Sequence, residues 1–238
     1  MTGPAAPDDP YSDPNELFDV YRSDGTPTGV VKRRADVHRD GDWHRSFHCW
    51  VTCLAPGAIQ RGLTAPGAEA PLPLLILQRR GLQKDTWPGR LDASVGGHHR
   101  AGETLRDVVR EVEEEIGQGV RLEDLLPLGH RVAVSEPDGV TCDRELQDLF
   151  LWRSGLPLDA FRPQPVEVAA LEAVAVSDLL RLFTGEAPVA PAVALTPDGR
   201  VSSREVRVED FIPTFDRYFY RMAVLVDLAA RDYPHLVA

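Results

Sequence analysis

The chain has 238 residues, is 43% hydrophobic, and carries a formal charge of −11 with a pI near 5.1. That suffices for a sizeable core in one large domain or a domain with appendages. The acidic balance argues against nucleic acid or anionic membrane as partner, because phosphate polyanions would be repelled, while a small phosphorylated substrate held through a cation remains open.

Residues 1–14 contain Pro, Asp and Gly without a basic or apolar stretch. They read as a disordered lead-in, not a signal peptide. Residues 15–238 read as one domain with a core over 16–184, an insertion over 56–71 and a C-terminal extension over 185–238. Residues 16–22 alternate and end in the turn cluster SDGTPTG, which predicts a hairpin entry. Residues 32–43 are polar and predict loops. Residues 44–55 are aromatic and β-branched and predict a strand, whereas 56–71 are rich in Gly, Ala and Pro and predict a flexible insertion. Cys49 and Cys53, four apart in that strand, share a face and suit small buried side chains. With Cys142 they make three cysteines, a count that favours a reducing, cytoplasmic setting over a disulfide framework.

The apolar run 72–78 predicts a buried strand, 81–89 a loop, and 91–99 a short strand entering a glycine turn. A helix follows over 104–116, with Gly117 at its C-cap. Strands are predicted over 129–135, 147–152 and 169–176. Helices are predicted over 177–183 and 208–231, with an irregular or hairpin segment over 186–207 between them. The apolar stripe in 218–228 can cap the core or form a homodimer face. No apolar run approaches the roughly 20 residues that span a bilayer. Intermixed strands and helices place the chain in the α/β or α+β class.

The helix over 104–116 carries Glu111, Glu113, Glu114 and Glu115 within five residues. At helical spacing Glu111, Glu114 and Glu115 converge, and like charges this close need solvent or a cation. A solvated acidic face is the plain reading of such a run. Its context favours the cation. Leu105, Val108, Val109, Val112 and Ile116 form an apolar stripe on the other side, and a Gly-rich turn precedes the helix.

Gly97, Glu103, Arg110-Glu111, Val112, Glu114-Glu115 and Gly117 occur in the order of the Nudix box, which this segment resembles. Six residues separate Glu103 from Arg110 where the box has seven, a deletion worth about 100° of helical rotation unless the loop–helix junction absorbs it. The resemblance implies an α/β/α sandwich with a mixed sheet, here with a C-terminal helical extension. It also implies Mg²⁺ or Mn²⁺ bound by Glu111, Glu114 and Glu115, with Glu103 assisting, Arg110 orienting and Gly97 lining the substrate. The implied reaction is hydrolysis of a diphosphate linkage in a small molecule.

Landmarks outside the box, FDVYRSDGTPTG, ADVHRDGDWHRSFHCWV, LILQRRGLQKDTWPG and LDASVGGHHRAGET, resemble the branch that holds type I isopentenyl-diphosphate isomerases and their hydrolase-like relatives. By position, that branch's metal ligands fall on His38, His44, His98, Asp143 and Glu145, and its diphosphate-binding cations on Arg34, Arg80 and Lys84. Its cysteine acid/base falls on Gly96, which cannot move a proton, while Glu111 and Glu114 are retained. The expected function is therefore diphosphate hydrolysis. An isomerase with a rearranged acid/base pair, or a catalytically weak ligand-binding module, are the alternatives.

Overall fold

The computed structural model describes residues 13–54, 74–84, 86–136, 142–233 and 236–237. The predicted insertion over 56–71 and nearly all of the predicted lead-in over 1–14 lie outside them. Among the described residues, eleven strands join in one sheet. β1 (Leu17–Tyr21) and β2 (Pro27–Arg33) form the entry hairpin, and α1 (Arg34–Asp40) follows at once. β3 (Trp43–Leu54) is the central strand. It pairs antiparallel with β4 (Leu74–Arg80) and β6 (Val95–His98), and parallel with β8 (Asp143–Pro157). The sheet is therefore mixed. β5 (Leu91–Asp92) pairs with β4, β7 (Leu126–Ser135) with β8, and β9 (Val168–Ala175) with the far side of β4.

Both faces of the sheet are covered, so β3 and β4 are buried almost throughout. Phe47, Cys49, Val51, Leu74 and Ile76 face α2 (Leu105–Val108) and α3 (Arg110–Ile116), meeting Val108, Val109, Val112 and Ile116. Trp50, Leu75 and Leu77 face the other way, against α4 (Val176–Thr184) and α5 (Tyr218–Ala230). This alternation is the period of two that a strand imposes. Each large apolar side chain so buried contributes about 1.5–3 kcal/mol. The arrangement is an α/β/α sandwich. Cys49 and Cys53 sit in its core, where burial pushes both thiols up to about 12.

Four expectations need correction. Residues 32–43 are not loops: β2 runs to Arg33, and α1 forms because Val37 packs on Phe18 and Val20 while Gly41 closes the helix at φ 66°. The strand predicted over 91–99 divides into β5 and β6. The helix predicted over 208–231 is only its second half. Residues Val208–Asp210 make a 3₁₀ turn, Pro213 lies in the following segment, and α5 begins at Tyr218. The C-terminal quarter is also more than a helical extension: the segment over 186–207, expected to be irregular or a hairpin, is the hairpin, and its β10 (Ala190–Leu195) and β11 (Val201–Val206) join the sheet beside β9. The apolar stripe of α5 caps the core through Tyr218, Phe219, Met222, Ala223 and Val226. No helix among the described residues is long and apolar enough to cross a membrane.

Candidate functional site

Strand register brings the polar residues of three strands onto one face. β3 presents His44, Ser46 and His48 at alternate positions, and β8 presents Asp143, Glu145 and Gln147. Parallel pairing sets His44 beside Glu145 and Ser46 beside Gln147, while β6 sets His98 beside Ser46 and Gly96 beside His48. α1 adds Arg34 and His38, four residues apart and so on one side of the helix. Phe18 from β1 underlies the group, with ring centroids 5.4 Å from His44 and 5.1 Å from His98.

His38, His44, His98 and Asp143 each offer a ligand atom within 4.8 Å of the others. Asp143 Oδ1 lies 3.4 Å from His44 Nε2 and 3.9 Å from His38 Nε2, and all three atoms are buried without a hydrogen-bond partner. Three converging buried atoms without a protein partner could hold a cation. His44 Nδ1 donates to the Asp42 carbonyl, 3.1 Å away, which leaves the Nε2 lone pair facing the cluster. Burial pushes His38 down to about 3, with His44 and Arg34 acting the same way. Burial also lowers His44 and holds His98 well below the ordinary histidine range, so the cluster presents neutral imidazoles. Asp143 is raised by burial and by the Glu145 charge. Glu145, against its own burial, is held well below the carboxylate range by the His98 hydrogen bond of 3.0 Å.

The acidic run lies on α3, which borders the same cleft. The helical segment breaks at Val109 into α2 and α3, so the six residues between Glu103 and Arg110 do not form one continuous helix. Glu103 sits just ahead of the Thr104 cap and reaches Arg110 with both oxygens, at 2.7 and 3.1 Å. Arg110 also donates to Glu111 at 2.6 Å and to Glu114 at 2.8 Å, gathering three carboxylates around one guanidinium. Glu115 turns inward and accepts from Gln78 Nε2 at 2.7 Å and from the Gly96 amide at 3.1 Å. Burial, with Glu115 and Glu114 nearby, pushes Glu111 up to about 8 despite Arg110. A Cβ on Gly97 would collide with the Glu111 side chain, which would have to leave its place beside Arg110.

One cleft of about 460 Å³ is lined by both sets, by Glu111, Glu114 and Glu115 on one side and by His38, His98, Asp143 and Glu145 on the other. Arg34, Arg80 and Lys84 line it too. Arg34 reaches His98 Nδ1 at 3.2 Å, Arg80 is held by Asp92 at 3.0 Å, and Lys84 contacts Glu167. Sequence reading missed Gln78, His48, Gln147, Arg131 and Tyr218, all of which bear on this cleft. Gln78 had a faint signal, a polar residue closing an apolar run. The others depend on strand pairing and on the docking of α5, which spacing along the chain does not reveal.

Residues 63–195 match the NUDIX domain family, a span that holds the acidic helix and both cleft-lining glycines. The chain is 34% identical to Nudix hydrolase 3 of Arabidopsis thaliana over 179 residues, covering 73% of this chain and 21% of that protein, so the match spans about a fifth of the plant protein. It is 28% identical over 214 residues to a Nudix hydrolase of Clostridium acetobutylicum, covering 88% and 95%. It is 27% identical over 136 residues to an isopentenyl-diphosphate Delta-isomerase of Escherichia coli, covering 57% and 65%.

Proposed function

The chain belongs to the NUDIX domain family, and on that premise we propose that it is a divalent-cation-dependent hydrolase of a diphosphate-containing small molecule. The observation that carries this reading is the convergence of the α3 carboxylates and the His/Asp cluster on one cleft bordered by Arg34, Arg80 and Lys84.

The donor sets suit cations of two kinds. Glu111, Glu114 and Glu115 offer the hard oxygens that Mg²⁺ or Mn²⁺ takes, and burial, with the Glu115 charge beside it, pushes Glu111 up to about 8. His38, His44, His98 and Asp143, with Glu145 at His98, offer the mixed set that suits Mn²⁺ or Zn²⁺. A divalent cation bound there supplies charge neutralisation at the diphosphate and acidifies the attacking water. Arg110 keeps Glu103, Glu111 and Glu114 mutually oriented. Gln78 and the Gly96 amide fix Glu115. Arg34, Arg80 and Lys84 give the cleft positive charge for a diphosphate, and Gly97 leaves room for the Glu111 carboxylate.

Glu114 is the sharpest probe, because among the described residues its hydrogen bonding is to Arg110 alone and its loss leaves the core intact. Glu114→Gln is expected to lower turnover by about 100-fold or more with an unchanged thermal midpoint. Chelation of divalent cations is expected to abolish turnover of the wild type. Full activity in Glu114→Gln would overturn the assignment.

A second reading has its own support: His38, His44, His98 and Asp143, which the resemblance to the isomerase branch implies as metal ligands, offer atoms within 4.8 Å of one another. It requires a proton donor near Gly96, which has no side chain to give. Formation of dimethylallyl diphosphate from isopentenyl diphosphate with Mg²⁺ would establish it over hydrolysis.

A further inference from the structure

Tyr218 opens α5 and lines the cleft, as do His48 and Arg131. Its ring is fixed on two sides. Trp50 meets it edge-on with centroids 5.5 Å apart, and the Arg131 guanidinium lies 4.0 Å over its face. Arg131 is itself held by Asp216, at 2.8 and 3.1 Å, and by Gln147.

The hydrogen positions around the Tyr218 hydroxyl follow from its neighbours. Arg131 Nη1 has only hydrogens to give, so the Gln147 atom 2.7 Å away is the carbonyl oxygen. The Gln147 amide nitrogen then faces Glu145 and donates to it. Flipping the amide would oppose two donors at Arg131 and two acceptors at Glu145. The same NH₂ lies 3.3 Å from His48 Nε2, so that nitrogen accepts, and the His48 proton sits on Nδ1. His48 Nδ1 therefore donates to the Tyr218 hydroxyl at 2.9 Å. Trp50 Nε1, which can only donate, reaches the same oxygen at 3.0 Å. The oxygen accepts twice, and its own hydrogen has no protein acceptor among the described residues. A Cβ on Gly96 would lie 3.5 Å from the His48 ring, so the glycine leaves open the space beside this pair.

We propose that the Tyr218 hydroxyl is a hydrogen-bond donor into the cleft, and that it selects diphosphates whose organic group carries an oxygen or nitrogen acceptor over those whose organic group is a bare hydrocarbon. This deepens the hydrolase reading and rests on it for the diphosphate. The physical reason is asymmetric. An acceptor-bearing ligand completes the hydroxyl, whereas a hydrocarbon seals an unpaired O–H in a dry site. Ile212, Pro213 and Phe219, whose side chains neither donate nor accept a hydrogen bond, line the same cleft. Tyr218 is thus assigned as a specificity-determining residue.

The test is equilibrium binding, in Mg²⁺, of two methylene-bisphosphonate esters matched in size, one glycosyl and one prenyl. The wild type is expected to prefer the glycosyl ester by about tenfold or more. Tyr218→Phe is expected to lose about tenfold on the glycosyl ester and to bind the prenyl ester more tightly than the wild type does, because no O–H is then left unpaired. Trp50→Phe keeps the hydroxyl and its unused hydrogen, so it should keep the preference even if less stable. A wild type that binds the prenyl ester as well as the glycosyl ester overturns the assignment, even if Tyr218→Phe does not fold. So does a folded Tyr218→Phe with an unchanged preference. Hydrolysis is scored separately on the cleavable esters. Selective binding without hydrolysis would sink the hydrolase reading and sustain Tyr218; hydrolysis with no preference would do the reverse.

Discussion

Glu111 is the residue on which the acidic cluster turns. It is pressed against Gly97, tied to Arg110, and crowded by Glu115 and Glu114. Its carboxyl is pushed from 4.5 to about 8, mainly by burial. Because the folded value is the higher one, this carboxyl's own contribution to the stability of the cation-free protein is greatest at low pH. That contribution fades as pH climbs from about 4.5 through about 8. A cation must displace the proton, so binding is expected to tighten by up to about tenfold per pH unit toward pH 8 and then level off. Calorimetric titration of Mn²⁺ between pH 6 and 9 checks this. Glu111→Gln should flatten the profile, and a wild-type affinity that falls with rising pH would contradict it. At this scale the sequence was informative for the box, because its carboxylates are neighbours along one helix. It was silent on His48, Gln147 and Tyr218, whose meeting needs β3 paired with β8 and α5 docked on top.

α1 shows why one element was misread and why it matters. RADVHRD has one large apolar residue, Val37, so no amphipathic period can be seen. The helix nevertheless places Arg34 and His38 at the cleft, and Val37 anchors it against Phe18, the ring beneath the histidines. Val37→Ser is expected to cost about 1–3 kcal/mol in denaturant unfolding and to weaken cation binding while leaving the Arg110 cluster unaltered. Unchanged cation affinity in a measurably destabilised variant would dissociate α1 from the site. The Val109 break is the converse case. The six-residue spacing could be counted in the sequence, but the backbone it adopts could not be read there, since a tightened turn and a rotated helix fit the same spacing. The turn keeps Glu103 on Arg110.

For the whole molecule, the main surprise lies at the C-terminal end. Residues 185–238 carry two strands of the sheet and the helix that buries Trp50. The fold class was readable because burial on both faces leaves long apolar runs such as 72–78. The role of this quarter was not, since an amphipathic helix packs equally well on its own core or on another chain. Truncation after residue 186 would uncover Trp50, Leu75, Leu77 and Leu149, and it is expected to give insoluble or unfolded protein by circular dichroism. A soluble, cooperatively folded truncation would show that the hairpin and α5 are accessory. Their cleft residue, Tyr218, also ties specificity to this quarter of the chain.

The most direct measurement is hydrolysis of a panel of diphosphate esters in ¹⁸O-labelled water with Mg²⁺ or Mn²⁺, read by mass spectrometry. The account predicts cleavage of at least one ester, with the label in a phosphate product and no cleavage after chelation. An intact diphosphate with a rearranged organic group, cleavage indifferent to chelator, or no cleavage of any ester would contradict it.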